Sequence, residues 1–501
     1  MKHLATFFFV SIFLLPTFGQ SIEQQLNTIG EQFNLMGMSV VALCDGEPVL
    51  VHHFGTRDFT RSLPVNDQTQ YRIASISKAI TATGLMLLVE DGLIDLDADI
   101  SDYLGFTARN PLYPSTVVTV RMVASHTSSI QDGSGYTGFL NATYSATDDV
   151  PGMSEILSDD GNFFTANIWR TETPGTYFAY SNLNYGVLAT IMEAASGQRF
   201  DIFMRERLFE PLGLSCSYNV ADLPNIDDLA VLYRNQGGWT PQVDNFQGVA
   251  PEQPNLPGYA PGTNGSRFAP QGGLRASAID LATLAQLHLG TVELVHNGSP
   301  AFTPSTRELM HSTVWSYNGS NGDNYFNLFN EWGLGVQRVT NTAMGDIVFP
   351  DLNDVIGHPG EAYGLISDWY FSPSTGKGII FLTNGAFNGF SFGASSAFYT
   401  LEEAIFAAID AEFQCVQTVN ESHGAVQPSV YPNPAQIGQA LRVNSAGQGR
   451  ADVFDASGRL IESECTIRNG TVDFAPELPG TYVVKGTLNG SKFNTTLMVH
   501  P

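Results

Sequence analysis

The chain is poor in charge and poorer still in positive charge. Only 14% of its 501 residues are Asp, Glu, Lys or Arg, where about a quarter is usual for soluble proteins, and 23 basic against 49 acidic residues leave a net charge of −26. Affinity for a phosphate backbone comes largely from Lys and Arg displacing counterions, so nucleic acid is excluded as a partner and anionic membrane surfaces are disfavoured. Long apolar runs are scarce too. The run at residues 4–15 falls short of the roughly 20 residues that cross a bilayer, and the next, residues 79–89, ends at Glu90 and Asp91. Metal-ligand spacing is missing: there is no CxxC and no HExxH, and the ten histidines are scattered. The chemistry expected is metal-independent, with no cofactor. The acidic run Asp95, Asp97, Asp99 has Ile100 where a calcium loop needs Gly, and no Glu closes it; it reads as a solvated turn. Four cysteines, Cys44, Cys216, Cys415 and Cys465, allow three complete pairings in an oxidising compartment, among which the sequence does not choose.

What is present is ample for a large core, with 43% hydrophobic and 11% aromatic residues, and the length allows two to four domains. Lys2, the apolar run, Pro16 and the small residue Gly19 make residues 1–19 an export signal cleaved near Gly19; no transmembrane span is expected once it is removed. Residues 38–57 alternate in β-rich halves around Asp45-Gly46, which predicts a hairpin, with His52 and His53 as strand residues. Residues 74–96 switch to a helical pattern that is apolar nearly all round, so this helix is expected to be buried. An amphipathic helix follows Asn182 and stops at Gly197, a third covers residues 276–289, strands are expected at 367–373 and 378–383, and a last helix at 395–409. Strands at both ends of a region with a helical middle predict one sheet built from the two termini, an α+β layout. Residues 248–273, rich in Pro and Gly, read as a long loop of a kind found near active sites, and the loops at 130–169 and 248–273 are expected to shape specificity. The boundaries that result are a body at 20–416, a polar linker at 417–430 and a small all-β module at 431–501, expected to be a sandwich.

Three short segments can carry chemistry. Ser75-Ile76-Ser77-Lys78 opens the buried helix, where residues three apart share a face, so the Lys78 ammonium reaches the Ser75 hydroxyl. Burial favours the neutral amine, which can serve as a base for Ser75. Tyr180-Ser181-Asn182 offers a phenol and an amide where a loop enters a helix. His358-Pro359-Gly360, before a strand, offers a hydrogen-bonding ring and a glycine that lets substrate approach the backbone.

In this order, the three segments resemble the SxxK, YxN and KTG or HxG motifs of the serine β-lactamase superfamily, which includes class C β-lactamases, D-alanyl-D-alanine carboxypeptidases and related esterases. The surroundings resemble it as well: YRIASISKAITATGLMLLVEDGLIDLDADISDYL, MVASHTSSI, PGTYFAYSNLNYGVLATIMEAASG, LFEPLGL, PQGGLRASAIDLATLAQL and GHPGEAYG, across residues 22–414. The resemblance implies a β-lactamase/transpeptidase-like fold, with an antiparallel sheet from both termini of the domain, helices packed on it and a helical subdomain. It also implies an acyl-enzyme mechanism on a small-molecule or peptide substrate. Ser75 would be the nucleophile, Lys78 its proton partner, and Tyr180 the general base and acid. Asn182 would orient the substrate amide, and the backbone N–H groups of Ser75 and Glu361 would form the oxyanion hole. His126, in SHTSSI, matches a family position and reads as structural.

One departure bears on substrate. His358 stands where β-lactamases have the Lys that holds the substrate carboxylate, and Pro359 replaces the neighbouring hydroxyl residue. A histidine is mostly neutral at pH 7, so carboxylate binding should be weaker, which favours a peptidase or esterase over a true β-lactamase. No ExxLN-like segment supplies the separate Glu of class A enzymes.

Two other classes of function compete. Gly389-Phe390-Ser391-Phe392-Gly393 fits the GxSxG elbow of α/β-hydrolases, but the strand before it ends near Asn384 and βαβ repeats are missing. The later histidines, His423 and His500, fall in the linker and tail. The other rival is a catalytically inactive surface binding protein on the same fold, against which the intact Ser75, Lys78 and Tyr180 argue. The C-terminal module resembles type IX secretion sorting domains in YPNPA, VFDASGRLI and LPGTYVVK, which implies the export machinery as a partner and a secreted or cell-surface location; a carbohydrate-binding sandwich is the alternative. Residues 431–501 carry six basic and six acidic residues, so the net charge lies entirely before them.

Overall fold

The computed structural model describes residues 20–415 and stretches between 430 and 500. It divides into two units, Met1–Val416 and Gln417–Pro501. The export signal and the linker expected from the sequence, all but its last residue Val430, lie outside the described residues.

The first unit opens with α1 (Ile22–Gln32), started by a reciprocal capping box between Ser21 and Gln24. β1 (Gly37–Cys44) and β2 (Glu47–Asp58) follow as a hairpin. Its turn residues Asp45 and Gly46 both have positive φ, 51° and 77°, as a two-residue turn matched to strand twist requires. Three buried helices come next: α2 (Ile76–Glu90), α3 (Asn182–Ser196) and α4 (Ala278–Leu289). In α2 every side chain from Ile76 to Leu88 is buried. α3 reads as amphipathic in sequence, yet its residues from Leu183 to Glu193 are all buried, because the 248–273 loop covers its outer face. There the Glu193 carboxylate accepts from Tyr259 Oη at 2.6 Å and from Gly262 N at 3.0 Å.

β3 (Ile356–Ala362), β4 (Leu365–Phe371) and β5 (Gly378–Thr383) are the other long strands of a nine-stranded sheet, and α5 (Thr400–Glu412) is the last helix of the unit. All pairings are antiparallel, and β5 lies beside β1, with Val40 opposite Phe381. The sheet is therefore closed by strands from the two ends of the unit, as the sequence predicts. Alternation sorts each strand between two cores. Val41, Leu43, Ile380 and Leu382 pack on the side of α2, α3 and α4, whereas Met38, Val40, Ala42, Ile379 and Phe381 pack on the side of α1 and α5. Helices on both faces explain why β1 and β5 are buried at every position but Cys44. Each of these Val, Leu, Ile, Phe and Met side chains contributes roughly 1.5–3 kcal/mol by leaving water.

Three local expectations change. The last helix starts at Thr400 rather than 395, because the Glu403 carboxylate accepts from the backbone N–H groups of Ala394, Ser395 and Ser396 and holds them in a loop. Residues 130–169 are not simply a loop; they contain helices Tyr136–Ser145 and Ser154–Leu157. The acidic run is more than a solvated turn, since Asp99 caps helix Ile100–Leu104 and pairs with Arg109, while Asp97 pairs with Arg121 at 2.7 Å.

Cys44, at the end of β1, is bonded to Cys415, just beyond α5. Cys216 and Cys465 are buried free thiols. In the second unit the described strands join in one eight-stranded sheet, with Gln448–Asp455, Leu460–Arg468, Gly480–Leu488 and Ser491–His500 as its long members. Leu441, Val453, Ile467 and Val484 are among its core residues. No helix among the described residues is long and apolar enough to cross a membrane.

Candidate active site

Ser75 precedes the first turn of α2 and its side chain makes no cap hydrogen bond, so the hydroxyl is free for other use. The residue before it, Ala74, has φ 48°, a left-handed conformation that costs a non-glycine residue roughly 1 kcal/mol or more and gathers at functional sites. Lys78 follows one turn later. Its Nζ donates to Ser75 Oγ at 3.1 Å and to the Gln271 carbonyl at 2.8 Å. The side chain is wholly buried, and burial pushes its pKa down to about 7, opposed in part by the negative charge of Asp132. Near neutral pH a large fraction of Lys78 is therefore neutral and able to take a proton.

Tyr180 closes the group from the loop before α3. Its ring centroid lies 4.8 Å from Lys78 Nζ, and its hydroxyl is near enough to Ser75 to feel its pull. Burial drives its pKa well above the ordinary phenol value, an effect larger than the opposing pull of Ser75, so the phenol holds its proton at rest. His126 places this ring. Held at φ 59°, it lies against Tyr180 with centroids 4.5 Å apart and the rings tilted by 33°, and its Nδ1 accepts from the Ser181 N–H at 3.1 Å. Phe329 stacks on the ring from another direction at 5.5 Å.

Asn182 is held by a residue the sequence reading did not single out. Asp132 accepts from Asn182 Nδ2 at 2.7 Å, from the backbone N–H groups of Asn182 and Leu183, and from Ser181 Oγ. A carboxylate at the start of α3 satisfies orphan amides and meets the positive end of the helix dipole. It also supplies negative charge near Lys78. The distance of 50 residues to its partners leaves no local sequence signal.

β3 brings in the third segment. His358 is buried, packed edge-on to Trp332 at 5.4 Å and 6.0 Å from the Tyr180 ring. Its Nδ1 donates to the Pro359 carbonyl at 2.6 Å, which leaves Nε2 as a buried acceptor without a partner. Burial first, and the Lys78 charge second, press its pKa down to about 3, so His358 adds no positive charge to the site. Two residues on, a Cβ on Gly360 would stand 2.7 Å from the Ile73 carbonyl and 3.2 Å from Ser75 N. Only glycine allows β3 to pass this close to the nucleophile. Glu361 follows on the same strand, its side chain accepting from Tyr399 Oη at 2.7 Å.

Ser75, Lys78, Tyr180, Asn182, His358, Gly360 and Glu361 thus converge on one end of α2. Ser391 does not join them; it lies exposed in the loop before α5, with its carbonyl bonded to Thr400 N. Among the described residues no cluster of three or more His, Cys, Asp or Glu could hold a metal ion.

Comparison with known proteins agrees with this geometry. The chain is 28% identical over 199 residues to "Penicillin-binding protein 4*" of Bacillus subtilis, an alignment covering 39% of this chain and about two fifths of that protein. It is 24% identical over 423 residues to "Penicillin-binding protein 4" of Amycolatopsis lactamdurans, covering 83% of this chain and 93% of the relative. The crystal structure of D-alanine carboxypeptidase AmpC from Burkholderia cenocepacia superposes with TM-score 0.53 at 20% identity, over 78% of this chain and 98% of that one; it shares the fold. The family model described as Beta-lactamase matches residues 22–399, which hold all three motif segments and the whole of the sheet, and the chain belongs to this family of serine hydrolases.

Proposed function

We propose that the protein is an exported hydrolase that forms an acyl-enzyme at Ser75 and acts on ester or peptide substrates in preference to β-lactams. The observation that carries the reading is the 3.1 Å contact of Ser75 Oγ with the buried, readily neutral Lys78. In the first step Ser75 gives its proton to the Lys78 amine while Oγ attacks the substrate carbonyl. The oxyanion that forms is stabilised by the N–H groups of Ser75 and Glu361. Collapse expels the leaving group, which takes a proton from Tyr180, and Tyr180 recovers one from Lys78. Water then attacks the acyl-enzyme along the reverse route and frees Ser75. Asn182 orients the substrate, and Gly360 admits it to the backbone.

The substrate preference follows from His358. A neutral ring with a bare acceptor nitrogen offers a substrate carboxylate no counter-charge, and a carboxylate beside an unpartnered lone pair is repelled. Short-chain aryl esters are expected to be cleaved and cephalosporins slowly or not at all. Export rests on residues 1–19 and on the likeness of residues 431–501 to type IX sorting domains, with the export machinery as the implied partner.

The mature protein is to be treated with a fluorophosphonate and, separately, with a penicillin, and adducts mapped by peptide mass. An adduct on Ser75 that vanishes in Ser75→Ala is the expected result. Labelling of Ser391 instead would transfer catalysis to the elbow, and no labelling by either reagent would leave a binding protein. Fast cephalosporin turnover would sink the preference.

A further inference from the structure

A cavity of about 300 Å³ is lined by Arg72, Arg267, Arg275, Tyr144, Tyr363 and Ala269 among others. That volume is at the lower end for small-ligand sites. Three strands of chain tie it to the catalytic group. Arg72 stands three residues before Ser75 and donates Nε to the Gly272 carbonyl at 3.1 Å. Gln271 holds Lys78 through its carbonyl, and its amide donates to Tyr144 Oη at 3.1 Å. Tyr363 stands two residues beyond Glu361.

Two features set this cavity apart from an ordinary surface hollow. Of its arginines, Arg275 is paired, bidentate with Asp244 at 2.6 and 3.1 Å, whereas among the described residues no carboxylate pairs with Arg72 or Arg267. In a chain of net charge −26, in which ten of the described arginines form ion pairs, unpaired cations collected in one cavity are a specific arrangement. Tyr363 is the second. It occupies the first turn position of the β3–β4 hairpin at φ 57°, where Asn or Gly is the usual residue and a bulky side chain is strained. Its ring is thereby held over Arg72, 5.1 Å from the guanidinium carbon.

We propose that this cavity is a subsite for an acidic group on the acyl part of the substrate, with a carboxylate held by Arg72 and Arg267 and its chain passing between Tyr144 and Tyr363. The direction follows from β3. At one end His358 packs near Tyr180, which supplies the leaving-group proton; Gly360 lies beside Ser75, and Tyr363 is about 10 Å further on at roughly 3.3 Å per residue. The leaving group departs at the Tyr180 end, so the acyl chain runs toward Tyr363. Burial and the neighbouring Arg275 already disfavour the charged form of Arg72, and an incoming carboxylate relieves both. The neutral His358 and the charged cavity together move anion recognition from the leaving-group side to the acyl side.

The proposal rests on acylation at Ser75, and its test separates the two. The full-length protein is assayed with 4-nitrophenyl hexanoate, the 4-nitrophenyl half-ester of adipic acid and 4-nitrophenyl 6-aminohexanoate, which share length and differ in terminal charge. The acidic ester is expected to show a kcat/KM at least tenfold above the neutral one, with the cationic ester lowest. Arg72→Gln should reduce the acidic-to-neutral ratio at least tenfold, and Arg267→Gln, as a second variant, should reduce it in the same direction. Equal rates for the three esters, or parallel losses on both in the variants, would overturn the subsite while leaving Ser75 hydrolysis intact. Binding of adipate to Ser75→Ala, read by calorimetry and lost in Ser75→Ala with Arg72→Gln, supports the subsite without any turnover; no binding there counts against it.

Discussion

At the scale of single residues, the site depends on burial setting the protonation of Lys78, Tyr180 and His358. Lys78, lowered to about 7, gains its neutral form as pH rises, so kcat/KM for an aryl ester should climb through pH 7 and level off above it. Asp132 acts in the opposite sense, raising the Lys78 value. In Asp132→Asn the amine is neutral at lower pH, and the acid limb of the profile should move downward, while loss of the anion at the start of α3 costs about 1 kcal/mol of stability; an unmoved limb would separate Asp132 from Lys78. Tyr180→Phe should lower turnover at least a hundredfold, the scale of losing a proton-transfer group, and near-native turnover would contradict the role given to it. Ser75, Lys78 and Tyr180 were legible because their motifs are short and local. Asp132 was not, because its meaning comes from four donors some 50 residues away.

At the scale of elements, the close passage of β3 beside the start of α2 is the feature that makes a site of these residues. Gly360→Ala would set a Cβ 2.4 Å from Ser367 Oγ and 2.7 Å from the Ile73 carbonyl, and the strand must move away from Ser75. We expect ester hydrolysis to fall at least a hundredfold while far-ultraviolet circular dichroism stays native; retained activity would show that β3 need not lie so close. The β1–β2 hairpin, α2 and the strands β4 and β5 follow from local pattern and turn chemistry, and their bounds differ from the sequence reading by a few residues. The helices within 130–169 and the burial of α3 did not, since their apolar faces are decided by what covers them. The α5 boundary depends on the Glu403 carboxylate, a side chain inside the helix reaching back to amides before it.

At the scale of the whole molecule, Cys44–Cys415 links residues 371 apart, tying β1 to the end of α5. Closing so long a loop in the unfolded chain stabilises the fold by roughly 2–4 kcal/mol. Reduction, or Cys44→Ala with Cys415→Ala, should lower the Tm of the first unit by several degrees; an unchanged Tm would show the bond to be energetically idle. The sequence by itself determined that the chain is acidic, that its first unit is α+β, and that a serine and a lysine share the first turn of a buried helix, because composition, periodicity and motif spacing are properties of neighbouring residues. Only the tertiary structure decided which cysteines pair, that His358 is stripped of charge, that Asp132 holds Asn182, and that Arg72 and Arg267 line one cavity without carboxylate partners. Each of these depends on desolvation and on contacts between segments far apart in the chain, and neither exists until the sheet closes and the helices cover it.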